Sequence, residues 1–264
     1  IPGLSETTED SLRETRSIIE WMKETGSVND LVRYMLTPRY VPCTTTDLMK
    51  GLASISREYG IPVQSHLNEN RSEIQLVREL HPESRDFTSV YNDHGLLPAG
   101  RTVMAHCIHN TDEEIDMVKA KDVMVAHCPQ SNANLLSGIM PLRKYLERGI
   151  RVGLGSDVAA GHSLNMRDHI VMAIEMSKLY WTQHPDSIAI SFSEAFHMAT
   201  KAGGSFFGKT GSFEEGFEFD ALVIDDKSLE TGIQLSLEER LERYVYTGAN
   251  ENIVHKYVCG KRIF

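Results

Sequence analysis

The sequence predicts a parallel α/β fold, and three observations lead there. Short apolar, strand-like runs recur at 34–39, 61–66, 102–106, 122–127 and 151–157. The stretches between them carry helical periodicity and helix caps, so strands alternate with single helices, which implies right-handed crossovers and a parallel sheet. Each run also ends in a polar residue suited to chemistry: Arg39, His66, His106, His127 and Asp157. The ends of parallel strands are where such folds place their active sites. The pattern is that of an enzyme.

The elements follow in order. Thr7, with Asp10 three residues on, opens a helix with Leu12, Ile18, Ile19 and Met22 as its apolar stripe, and Gly26 ends it. After the first strand, a helix runs from Thr46 or Asp47 to Tyr59, stopped by Gly60. The second strand delivers His66 and is followed by a helix over 72–80. Residues 81–101, with Pro82, Gly95, Pro98 and Gly100, are expected to form a long polar connection. The third strand ends at His106, and the capping pair Thr111 and Glu114 opens a helix to about Ala120. The fourth strand ends at His127; a helix over 141–148 precedes the fifth, which delivers Asp157. Helices are expected at 166–181 and 193–201. The tail is β-like at 219–224 and 255–258, with a helix over 237–246 started by Ser236 and Glu239 and a turn at Gly260-Lys261. This change of character sets the expected division: 1–209 as a barrel-type catalytic domain and 210–264 as part of a small flanking β domain.

Composition narrows the class. An apolar fraction of 41% and a charged fraction of 24% are those of a globular protein. The net charge of −10 argues against nucleic acid, whose binding draws on Lys and Arg. No apolar run approaches the ~20 residues of a bilayer span. Cys43, Cys107, Cys128 and Cys259 form no CxxC pair, which suits reduced thiols in the cytoplasm.

The candidate chemistry lies at the strand ends. His66 at the end of a buried strand can place a ring nitrogen on a metal, and Glu69, three residues on, can reach the same cavity without ligating. A water activated by a metal needs such a carboxylate to take its proton and redeliver it. A surface loop would show the same spacing by chance. Asp157 in Gly-Leu-Gly-Ser-Asp is a candidate ligand, because a carboxylate there needs a partner; a cap or turn is the other reading. His106 could orient the attacking oxygen or serve structure alone. His127 stands before Pro129 and is expected to pack and hydrogen-bond. Arg39 offers a planar fork suited to a flat heterocycle, with Tyr40 able to stack nearby; a surface ion pair is the alternative.

Taken together, Thr-Pro-Arg-Tyr at 37–40, Gln-Ser-His-Leu-Asn-Glu-Asn at 64–70, Val-Met-Ala-His at 103–106, Ala-His-Cys-Pro-Gln-Ser-Asn at 126–132 and Gly-Leu-Gly-Ser-Asp-Val at 153–158 resemble the amidohydrolase superfamily. Within it they are most similar to the guanine deaminases. The resemblance implies a TIM-like (β/α)₈ metal-dependent hydrolase and a hydrolytic deamination of guanine to xanthine and ammonia. It implies His66 and Asp157 as metal ligands, with His66 also beside the substrate. Glu69, His106 and Asp157 become the catalytic groups, and Arg39 and Tyr40 grip the guanine. Zinc, one per subunit, is the implied cofactor, with iron also suited to these ligands. A homodimer is implied as well. Other amino heterocycles (cytosine, a pterin, a triazine) and a non-catalytic binding relative stay open as alternatives.

The family's His-x-His motif does not occur in the sequence, which opens at Ile1. The runs correspond to strands four to eight of the barrel. The chain is therefore expected to be the C-terminal portion of a longer protein and to need an upstream segment carrying His-x-His.

Overall fold

The computed structural model describes residues 5–26 and 31–264. Its internal contacts divide the chain into two compact units, Ile1–Val125 and Ala126–Phe264.

In the first unit, α1 (Thr8–Thr25) is capped by Thr7, whose hydroxyl accepts from the Asp10 amide, and ends at Gly26. α2 (Thr46–Tyr59) has the bounds the sequence suggested, with Thr45 as its cap and Gly60 at its end. The two helices pack closely at Gly51, where a Cβ would stand 2.5 Å from a Leu12 methyl. The strand β1 (Val63–Leu67) precedes α3 (Arg71–Leu80) and α4 (Phe87–Asp93). β2 (Thr102–His106) and α5 (Asp112–Ala120) follow, and β3 (Met124–His127) leads out of the unit. β1 and β2 pair in parallel with His66 opposite Ala105 and Leu67 opposite His106, so both histidines reach the same end of the ladder. Val63, Leu67 and Met104 are buried and anchor the strands in the core.

Two expectations for this unit need correction. The run 34–39 is not a full strand: Leu36 alone bridges Val63 in parallel. Leu36 exchanges bonds with Pro62 and Gln64, but Pro38 has no N–H with which to continue the ladder. The connection 81–101 is not all loop either. Asp86 accepts from the Ser89 amide and starts α4, whose Phe87, Val90 and Tyr91 are buried.

In the second unit, Pro129 opens α6 (Pro129–Asn134), its fixed φ suiting the first helical position. α7 (Leu142–Glu147), β4 (Val152–Leu154) and α8 (Met166–Gln183) follow. The main chain of β4 continues into a hydrogen bond from Gly155 N–H to the His127 carbonyl. α9 (Phe192–His197) runs into a π-helical turn, Met198–Ala202. The tail holds β5 (Ala221–Ile224), α10 (Leu237–Thr247), β6 (Ile253–Val258) and β7 (Lys261–Arg262). β5, β6 and β7 form an antiparallel sheet of their own, in the order β5-β6-β7. Among the described residues no helix is long and apolar enough to cross a membrane.

Candidate active site

Most of the candidate groups of the first unit gather beyond the ends of β1 and β2. The His66 and His106 rings stack, with centroids 5.1 Å apart and planes 27° from parallel. His66 Nδ1 lies 2.6 Å from the Arg39 carbonyl oxygen. A carbonyl only accepts, so Nδ1 holds the proton and the Nε2 lone pair is left to ligate. His106 is fully buried, and its Nε2 stands 3.7 Å from a Glu69 carboxylate oxygen. That distance is too long for a hydrogen bond.

The backbone that presents these groups is unusual. Asn68 (φ 50°), His106 (φ 71°) and Cys107 (φ 50°) all adopt the left-handed region, which side-chain-bearing residues rarely occupy. Such conformations persist where surrounding bonds over-determine them, and they cluster at functional sites. Here the Cys107 amide donates to the Leu67 carbonyl, tying the ends of the two strands together.

Three residues that the sequence reasoning passed over hold this arrangement. The Tyr91 hydroxyl, buried in α4, donates to the His66 carbonyl at 2.8 Å and lies 2.7 Å from the Ser65 hydroxyl. Burial drives the Tyr91 hydroxyl far above the ordinary tyrosine range, so it stays neutral. Ser65 in turn donates to the Pro38 carbonyl at 2.6 Å. Glu73 accepts from the backbone amides of Glu69 and Asn70, fixing the turn that carries Glu69. Burial pushes the Glu73 carboxyl upward, against the pull of those amides. Ser65 could have been suspected from its place beside His66, but Tyr91 was hidden in the stretch expected to be loop.

Arg39 is exposed, and its guanidinium sits 5.5 Å from the centre of the Tyr40 ring. The two residues thus make a cation–π contact following Pro38. The Tyr40 hydroxyl is shifted upward, first by its hydrogen bond with Cys43 and then by partial burial.

In the second unit Asp157 also takes the left-handed conformation, with φ 47°. Its carboxylate accepts a short hydrogen bond from the Ser131 hydroxyl in α6. Its carbonyl accepts from the Gly161 amide at 2.7 Å. A side chain at Gly161 would collide with the Ser156 carbonyl, its Cβ falling 1.9 Å away, so the loop needs glycine there. His127 is buried, as expected of a packing residue.

The comparisons give the class of this parallel α/β chain. The chain belongs to the amidohydrolase family, whose model matches residues 3–263. Among solved structures it is similar to a guanine deaminase from C. acetobutylicum determined with guanine bound in the active site. That protein is 48% identical, with a TM-score of 0.95, and the match covers 100% of this chain and 62% of the other. Guanine deaminase of Mus musculus is 33% identical over 274 residues, which is 100% of this chain and 60% of the relative. That of Dictyostelium discoideum is 34% identical over 265 residues, 98% of this chain and 58% of the relative. The chain thus spans about 60% of the length of the curated relatives it matches.

Proposed function

We propose that this chain carries the main part of the active site of a metal-dependent aminohydrolase that converts guanine to xanthine and ammonia. The observation that carries the reading is the cluster beyond β1 and β2: a tautomer-fixed His66 stacked on His106, with Glu69 facing it. The guanine-bound relative supports the choice of substrate.

Imidazole and carboxylate donors such as those of His66 and Asp157 suit zinc, one ion per subunit, and suit iron as well. We assign His66 and Asp157 as ligands. The cation would activate a water for attack on the carbon that bears the exocyclic amine. Glu69 would take one proton from that water and give it to the purine ring, while the water's other proton would pass to the exocyclic amine, whose C–N bond breaks to release ammonia. Asp157 shares in accepting the water's protons. His106 donates to the oxygen as charge develops on it. The Arg39 fork binds the carbonyl edge of guanine, Tyr40 covers its face, and His66 borders the same pocket.

The same reading makes the first sheet strands four to eight of a (β/α)₈ barrel, with Leu36 marking the fourth. It keeps 1–209 as the catalytic portion and 210–264 as part of a flanking β domain, supported by the separate antiparallel sheet that begins at Ala221. An upstream segment carrying His-x-His would complete the ligand set. A homodimer in the cytoplasm, serving purine catabolism or salvage, rests on the family resemblance.

The test is product formation. The intact, zinc-loaded protein should release xanthine and ammonia from guanine far faster than ammonia from cytosine, a pterin or an aminotriazine. Preference for one of those would replace the substrate, and intact protein that retains no zinc when supplied with it and turns over none of them would be a binding relative.

A further inference from the structure

Glu114 was expected from sequence only to cap α5, and it does: its carboxylate accepts from the Thr111 amide at 2.9 Å. A capping glutamate is ordinarily a solvated surface group. This one is 3% exposed. Its other oxygen accepts from Asn68 Nδ2 at 2.8 Å, from the Thr88 amide at 3.2 Å and from the Thr88 hydroxyl at 3.0 Å. A buried carboxylate is tolerated only when so fully bonded, and bonds to it are stronger than neutral ones. Because a carboxylate accepts only, the orientation of the Asn68 amide is fixed.

Asn68 stands directly before Glu69 and is 1% exposed. Its own carbonyl accepts from the Ile108 amide at 3.2 Å and the His109 amide at 3.1 Å. One residue therefore ties the loop after β1 to the loop after β2, and Glu114 holds that residue against the start of α5.

We propose that Asn68 and Glu114 act as one buried positioning pair that sets the distance between Glu69 and His106. The proposal rests on the proton-transfer role assigned to Glu69 above. A carboxylate that moves a proton tolerates little displacement; about 1 Å of misplacement can cost ~10²-fold in rate.

Asn68→Gly keeps the left-handed backbone without steric cost and removes only the side-chain link. Glu114→Gln keeps the shape but turns an N–H₂ group toward donors. In the intact zinc-loaded protein, each variant should lower kcat on guanine by about 10- to 100-fold, with KM and metal content unchanged. The double variant should be no worse than the poorer single one, since the two act through one link. Amide hydrogen exchange at Ile108 and His109 should quicken by about tenfold or more in Asn68→Gly. Met49→Ala, a core truncation in α2, is the control: it should lower Tm while leaving kcat and those two amides unaltered. Wild-type exchange at Ile108 and His109 together with kcat within about twofold in Asn68→Gly would overturn the proposal. If the wild type fails to turn over guanine, the functional reading falls, and the exchange rates still decide whether the pair positions the loops.

Discussion

The Arg39 carbonyl oxygen and His66 Nδ1 lie 2.6 Å apart. The same residue therefore acts twice. Its side chain is the proposed reader of a purine edge, while its main chain fixes the tautomer of a proposed metal ligand. Substrate grip and metal binding are separable at this residue, because a substitution alters one and keeps the other.

Arg39→Ala should accordingly raise KM for guanine by about 10- to 100-fold, the loss of a charge-assisted hydrogen bond pair, with metal content unchanged. Arg39→Lys should recover little, since an ammonium lacks the planar fork. Steady-state kinetics with metal analysis checks both.

Tyr91→Phe removes the hydroxyl that donates to the His66 carbonyl and adjoins Ser65. The buried partners lose a bond with no water to replace it, so the variant should be destabilised by about 1–3 kcal/mol. Denaturant unfolding measures this directly.

Glu73 gives stability a pH dependence. Burial raises its carboxyl in the folded state, so the folded chain binds the proton more readily than the unfolded chain. Its contribution is present in acid and is lost as pH rises from about 4.3 through the raised value. Glu73→Gln still accepts from the Glu69 and Asn70 amides but has nothing to titrate. Relative to that variant, the wild type should lose stability between acid and neutral pH. A wild type that gains stability over that range would show the opposite sign.

Asp157→Ala should lose metal and activity together, because a ligating oxygen is gone. Ser131→Ala removes only the hydroxyl that donates to Asp157. It should weaken metal binding by about 10- to 100-fold, as loss of a partner behind a ligand commonly does. Titration with zinc in a competing chelator distinguishes the two.

Much of the fold was legible because apolar runs and capping pairs are local signals. Thr111 with Glu114 and Ser236 with Glu239 form the capping boxes their spacing indicated. His106 ends its strand as expected, while His66 is followed by one more residue of the ladder, Leu67. What was not legible depends on pairing or on distant partners. Leu36 makes a single bridge because Pro38 interrupts the ladder. α4 was hidden in polar sequence, and its start depends on Asp86. Tyr91 and Ser131 gained their roles only through partners distant in the chain, and no spacing rule relates Tyr91 to His66.

On the proposed function, Glu69 moves protons in a metal-assisted deamination without holding the metal. Zinc content and ammonia release from guanine, measured for wild type and Glu69→Gln, test this most directly. Full metal occupancy is expected in both, with kcat in the variant lower by about 10²–10⁴-fold. Turnover near the wild-type rate, or zinc lost from the variant, would contradict it.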